Sequence, residues 1–208
     1  MIQHNEYLPR INELFKQYGG EDIAIKIIHI RDEKDQKKDV WNDALIFVDK
    51  DYNVWSSLGT TDPGNNAYIR HPEGAAHICL GLHKQCWVID IHAANNKAFK
   101  HEALCSRPQY GCKPIKFWRD KDKDRVYDNF EPISEEYSGL NCHRASAIKG
   151  VPTIGDYSDG CQVRKWSSDH TFMMDSLKEF DIVRDSIQDR RYTYKFSFLL
   201  VSNTEFYK

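Results

Sequence analysis

The feature that most constrains the fold is a succession of short apolar runs, each cut off by turn formers before it can become a long helix. The runs are "DIAIKIIHIR", "VWNDALIFVD", "VWSSLGT", "AAHICLGLH", "KQCWVIDIH", "KPIKFW" and the closing "RRYTYKFSFLLVS". They are rich in β-branched and aromatic residues, which suit a pleated, half-buried surface. Charged or glycine-containing turns such as "KDYN" and "TTDPGNN" separate them, and the first of these predicts a hairpin. Two segments have helical spacing instead. In "EYLPRINELFKQY" Leu8, Ile11, Leu14, Phe15 and Tyr18 recur at three and four before "GG". In "SSDHTFMMDSLKEFDIVRDSIQD" serine and aspartate open a helix that sets Phe172, Met173, Leu177, Phe180 and Val183 along one face. The expectation is a mainly β chain with flanking helices, an α+β class.

With 208 residues and 40% hydrophobic side chains, the chain can fill one sizeable core, which predicts a single domain over 1–208 with residues 1–37 as an N-terminal helical and strand extension. A formal charge of -2 gives no field to attract nucleic acid, and basic clusters such as that in "RDEKDQKKD" carry their own acids. No run approaches the ~18 apolar residues of a membrane span, so no membrane insertion is expected. The N-terminus has helical spacing rather than the apolar core of a secretion signal, which predicts synthesis in the cytoplasm. The six cysteines are accordingly expected as free thiols.

One thiol has the neighbours of a nucleophile. Cys161 follows Gly160 and Ser158, and His143 lies 18 positions earlier, with Gly150, Pro152 and Gly155 between them to turn the chain back. A thiol with a pKa near ~8.5 becomes reactive when an imidazole takes its proton. Gly160 leaves the backbone free to turn successive N–H groups inward, toward the oxyanion of a tetrahedral intermediate. The combination suits acyl transfer from an amide. A buried thiol and an unrelated core histidine would give the same letters.

These residues resemble the signature of the L,D-transpeptidase catalytic domain: a histidine, fourteen residues, then Ser or Thr, any residue, Gly and Cys. Here that reads His143, fourteen residues, and "SDGC" from Ser158 to Cys161, with "SGLNCHR" similar to the strand that delivers the family's histidine. A longer resemblance, to phage-encoded and related non-exported versions, covers about residues 41–205 through "WNDALIFV", "GTTDPG", "WRDKDKD", "GDYSDGCQV" and "YTYKFSFLLV". The resemblance implies an L,D-transpeptidase-like β-sandwich and a cysteine transpeptidase or peptidase acting on peptidoglycan stem peptides, without a cofactor. It makes Cys161 the nucleophile, His143 its base and Gly160 a backbone donor. Ser158, Asp159 and His83 fall on the substrate side, Ser158 as a supporting hydroxyl; Arg144, beside His143, has a planar fork that suits either a substrate carboxylate or a surface pair with Asp156 or Asp159. A phage enzyme of this kind reaches the wall after lysis or within the virion. Two positions depart from the family: Asp159 stands where exported members usually have histidine, and Gln162 and Val163 precede the first basic residue, Arg164. A structural or binding protein, such as a virion component that keeps the fold without turnover, is the alternative from another class.

Two metal patterns are weaker. From Asp120, "DKDKDRVYDNFE" places oxygens at positions 1, 3, 5, 9 and 12, ending at Glu131, but Arg125 occupies the glycine position of a calcium loop. His77, Cys79, His83, Cys86, His92, His101, Cys105 and Cys112 have no regular ligand spacing, so no zinc is expected.

Overall fold

The computed structural model describes residues 1–34, 39–127, 130–147, 151–189 and 193–208. Its strands are β1 (Ile2–Gln3), β2 (Ile27–Arg31), β3 (Asp43–Val48), β4 (Val54–Thr60), β5 (Ala75–Ile78), β6 (Gly81–His92), β7 (His101–Cys105), β8 (Phe117–Asp120), β9 (Cys142–Arg144), β10 (Gln162–Arg164) and β11 (Phe196–Ser202). The helices are α1 (Leu8–Gln17), α2 (Ala67–Arg70), α3 (Ser167–Lys178), α4 (Asp181–Gln188) and α5 (Asn203–Phe206). Mainly β with flanking helices is correct; the sandwich is not. The strands run in the order β4, β10, β9, β7, β6, β11, β2, β3, and β3 pairs again with β4, so eight strands close into a barrel. Closure pairs every stave on both sides, which two facing open sheets would not do. β1 adds to β4, and β5 with β8 forms a separate two-stranded ribbon.

The barrel explains the letters. All five residues of β2 are buried, with none of the alternation of a half-exposed strand. One face lines the lumen, and the other is covered by α1, whose Ile11, Leu14 and Phe15 join Ile28, Ile30, Leu199 and Val201 in an outer core. Fully burying each such side chain is worth about 1.5–3 kcal/mol. Inside, Trp87 of β6 stacks on Phe198 of β11 with centroids 4.1 Å apart. His29 Nδ1 on β2 and Gln162 Oε1 on β10 lie 2.9 Å apart across the lumen. The second helical segment is broken at Phe180, which is extended, so that α3 and α4 are separate. Met173, Leu177 and Val183 enter the core as expected, whereas Phe172 is 39% exposed. Part of the charged loop after β2 (35–38), Asp128, Gly150 and the first three residues of the closing run lie outside the described residues.

Candidate active site

The Gln162–His29 contact fixes the orientation of everything around Cys161. With Gln162 pointing into the lumen, Cys161 and Val163 face outward. β9 runs parallel to β10, with Gln162 opposite Cys142 and Val163 opposite His143. His143 therefore shares the outer face with Cys161, two residue pairs further along. In β7, Leu104 opposes Cys142, which leaves Ala103 and His101 on that outer face beside His143. His92, paired with His101 at the end of β6, lies on it too.

Side chains then diverge from the expected pair. No hydrogen bond joins Cys161 and His143 among the described residues. The His143 ring lies flat against His92, with centroids 4.0 Å apart and planes 13° apart, although β7 separates their strands. Ala103, with nothing beyond Cβ, leaves room for that stack. The ring thus leans toward β6, whereas the cysteine lies immediately before β10. Cys161 is partly buried against the Trp41, Ala145, Ile154 and Val163 cluster. Its Sγ accepts the Asn141 N–H at 3.4 Å and faces the Gly139 carbonyl at 3.9 Å. Burial pushes the thiol up to about 12, against the smaller downward pull of the Asn141 amide.

Proton positions follow from the partners. His143 Nδ1 is 2.8 Å from the Arg144 carbonyl, which can only accept, so Nδ1 carries the proton and Nε2 keeps its lone pair. That is the tautomer a general base requires. Burial, then the neighbouring His92, holds this imidazole well below the ordinary histidine range. Asn141 Oδ1 accepts the Ser106 N–H at 2.8 Å, so its Nδ2 is the donor to His92 Nδ1 at 3.2 Å. His101 is fixed in the same way, donating from Nδ1 to the Phe99 carbonyl at 2.6 Å and accepting the Arg144 N–H at 3.4 Å. A cleft of about 780 Å³ opens over His92, His101, His143 and Arg144. The Arg144 guanidinium lines it, its pKa lowered by desolvation alone, with no carboxylate paired to it among the described residues.

The other expected positions differ in kind. Ser158 is fully buried; its hydroxyl donates to the Cys161 carbonyl at 2.9 Å and accepts the Gly160 N–H at 3.2 Å. It shapes the turn and cannot touch a substrate. The same bond occupies the Gly160 N–H, so the backbone donor left over on this turn is the Cys161 amide, which has no acceptor among the described residues. Gly160 is needed for another reason: its φ is +122°, and a Cβ there would meet the Ala76 carbonyl oxygen at 2.3 Å. Asp159 is held by Arg70, whose Nε lies 3.2 Å away, and by His71 at 3.6 Å. Arg70 also takes Asp156, so neither acid pairs with Arg144. His83 is away from the cleft, its Nε2 donating to the Cys79 carbonyl at 2.9 Å and its ring stacked on Phe198 in the barrel.

Sequence reasoning missed Asn141, His92 and His101. Asn141 was discoverable in "SGLNCHR", since it sits two residues before the histidine and so on the same face. The two histidines belong to strands whose pairing no local pattern discloses. The histidines and cysteines make no metal group among the described residues; Asp120, Asp122 and Asp124 are the residues that cluster. Asp120 spends its oxygens on the Asp124 and Arg125 N–H groups at 3.1 and 2.9 Å, and Glu131 accepts the Lys121 N–H at 2.7 Å, as in an acid-lined turn. No family model, curated protein or solved structure matches the chain.

Proposed function

We propose that the chain is a cysteine-dependent acyl transferase or hydrolase acting on peptidoglycan stem peptides, with Cys161 as nucleophile and His143 as base. The observation that carries this reading is the register of β9 and β10. It sets the thiol and an imidazole with a free Nε2 on one outward face, the imidazole lining an open cleft and the thiol packed against Ala145 and Ile154 of that cleft's wall. Turning the His143 ring off His92 toward β10 brings Nε2 to the thiol. The thiol proton passes to Nε2, the sulfur adds to an amide carbonyl, and the oxyanion is met by the Cys161 amide. The imidazolium returns the proton to the departing amine, leaving a thioester. An incoming amine or water cleaves it, and His143 accepts then returns that nucleophile's proton. Arg144 suits a carboxylate of the stem peptide, because its planar fork can bind both oxygens. An origin in a phage, with release to the wall by lysis or within a virion, goes with this reading.

The competing reading, a virion or binding protein without turnover, is favoured by one observation: the resting thiol is pushed up to about 12 and the imidazole is stacked away from it. Acid-quenched intact mass separates the two. Wild type incubated with tetrapeptide or tripeptide stems is expected to carry one acyl adduct on Cys161. Cys161→Ala should carry none, and His143→Gln at least about 100-fold less, in line with loss of a general base. Wild type free of adduct, with Cys161 alkylated no faster than the other five cysteines, supports the inert reading.

A further inference from the structure

A second concavity, of about 490 Å³, lies where β2 ends and the β5–β8 ribbon begins, and it takes no part in the chemistry above. Its floor is His77 stacked on Trp118, with centroids 4.4 Å and planes 12° apart. The imidazole is satisfied on both sides. Its Nδ1 donates to Asp62 at 3.3 Å, and its Nε2 accepts the Tyr68 hydroxyl at 2.7 Å. What the floor leaves over is donors. Arg31, with a side chain 6% exposed, gives Nε to Thr61 Oγ1 and Nη2 to the Thr61 carbonyl, and its Nε lies 3.2 Å from Asp62. Its Nη1 has no hydrogen-bond partner among the described residues, nor has the indole N–H of Trp118. Neither nitrogen is among the buried atoms sealed off without a partner, and both residues line the cavity. The walls above are apolar and open: Leu80, Val126, Tyr127 and Ile133 are 42%, 49%, 47% and 51% exposed.

We propose that this cavity is a ligand site for a small carboxylate carried on an apolar body, its oxygens on Arg31 Nη1 and Trp118 Nε1 and its body on the Leu80, Tyr127 and Ile133 wall. Two unpaired donors at the base and apolar walls above match that division of the ligand. The inference does not rest on the cysteine chemistry. Calorimetric titration with octanoate and with 1-octanol tests it. Octanoate is expected to bind at least tenfold tighter than the alcohol, and Arg31→Gln to bring the two together. Because Arg31 also ties Thr61 and Asp62, the exposed rim supplies variants that spare the fold: Tyr127→Ala and Ile133→Asp should each weaken octanoate at least fivefold. Cys161→Ala should bind octanoate as wild type does. Octanoate no tighter than octanol, rim variants without effect, or loss of binding in Cys161→Ala would each overturn the proposal.

Discussion

Lowering the pH from 7 to 5 is expected to remove at least about 4 kcal/mol of stability, a large part of the 5–15 kcal/mol typical of a domain. The cause is histidines folded into places where they cannot take a proton. Burial pushes His29 and His170 down to about 3 and His83 to about 4, whereas in the unfolded chain each titrates near 6.5. Their contribution is fully present above about 6.5 and is lost as the pH falls from there toward the folded values, because the unfolded state then binds the extra protons. At pH 5 each costs about 2 kcal/mol, and His92 and His143, lowered chiefly by burial, add to the loss in the same direction. Asp43 acts in the opposite sense. Burial and the nearby Asp62 raise it to about 7, so its contribution is present below its unfolded value and is lost as the pH rises through the folded one. Acidification from 7 to 5 therefore returns about 2 kcal/mol of it. Urea unfolding at the two pH values measures the net. A midpoint unchanged between them would mean that these rings are protonated within the fold.

Replacing Gly160 with alanine is expected to cost about 4 kcal/mol, through a contact that the β5–β8 ribbon cannot relax together with backbone strain. The added Cβ would lie 2.3 Å from the Ala76 carbonyl oxygen and 3.0 Å from the Ala76 Cβ, at a φ of +122°. Ala76 belongs to β5, which is paired with β8, so the carbonyl cannot simply move away. Gly139 is the control. Its φ is +71° and a Cβ there meets nothing within 4 Å, so Gly139→Ala should cost about 1–2 kcal/mol, the left-handed strain alone. Thermal or urea unfolding of the two variants side by side checks the difference. Equal losses would show that the Ala76 contact yields.

Local chemistry made much of this molecule legible. The run "VWSSLGT" is β4 to the residue, the hairpin with β3 forms as "KDYN" predicts, and α1 ends one residue before Tyr18. What escaped is set by long-range pairing. "HEALC" is too short and polar to read as a strand, yet β7 fills the space between β6 and β9 and carries the Ala103 gap over which His143 and His92 meet. Barrel and sandwich share the same alternation, and the difference is the β3–β4 and β4–β10 pairings on the two edges of one strand. At the site, the motif brought Cys161 and His143 onto one face at neighbouring strands, but it could not foresee His92, from a distant strand, as the partner of the imidazole, nor that Arg70 would take Asp156 and Asp159.

The most direct test of the central claim is incubation of wild type and Cys161→Ala with purified muropeptides, followed by mass analysis of the peptides. Cross-linked or shortened stems should accumulate with wild type and be absent with the variant. Identical products in the two samples, or unchanged substrate in both, would contradict a cysteine-centred acyl transfer.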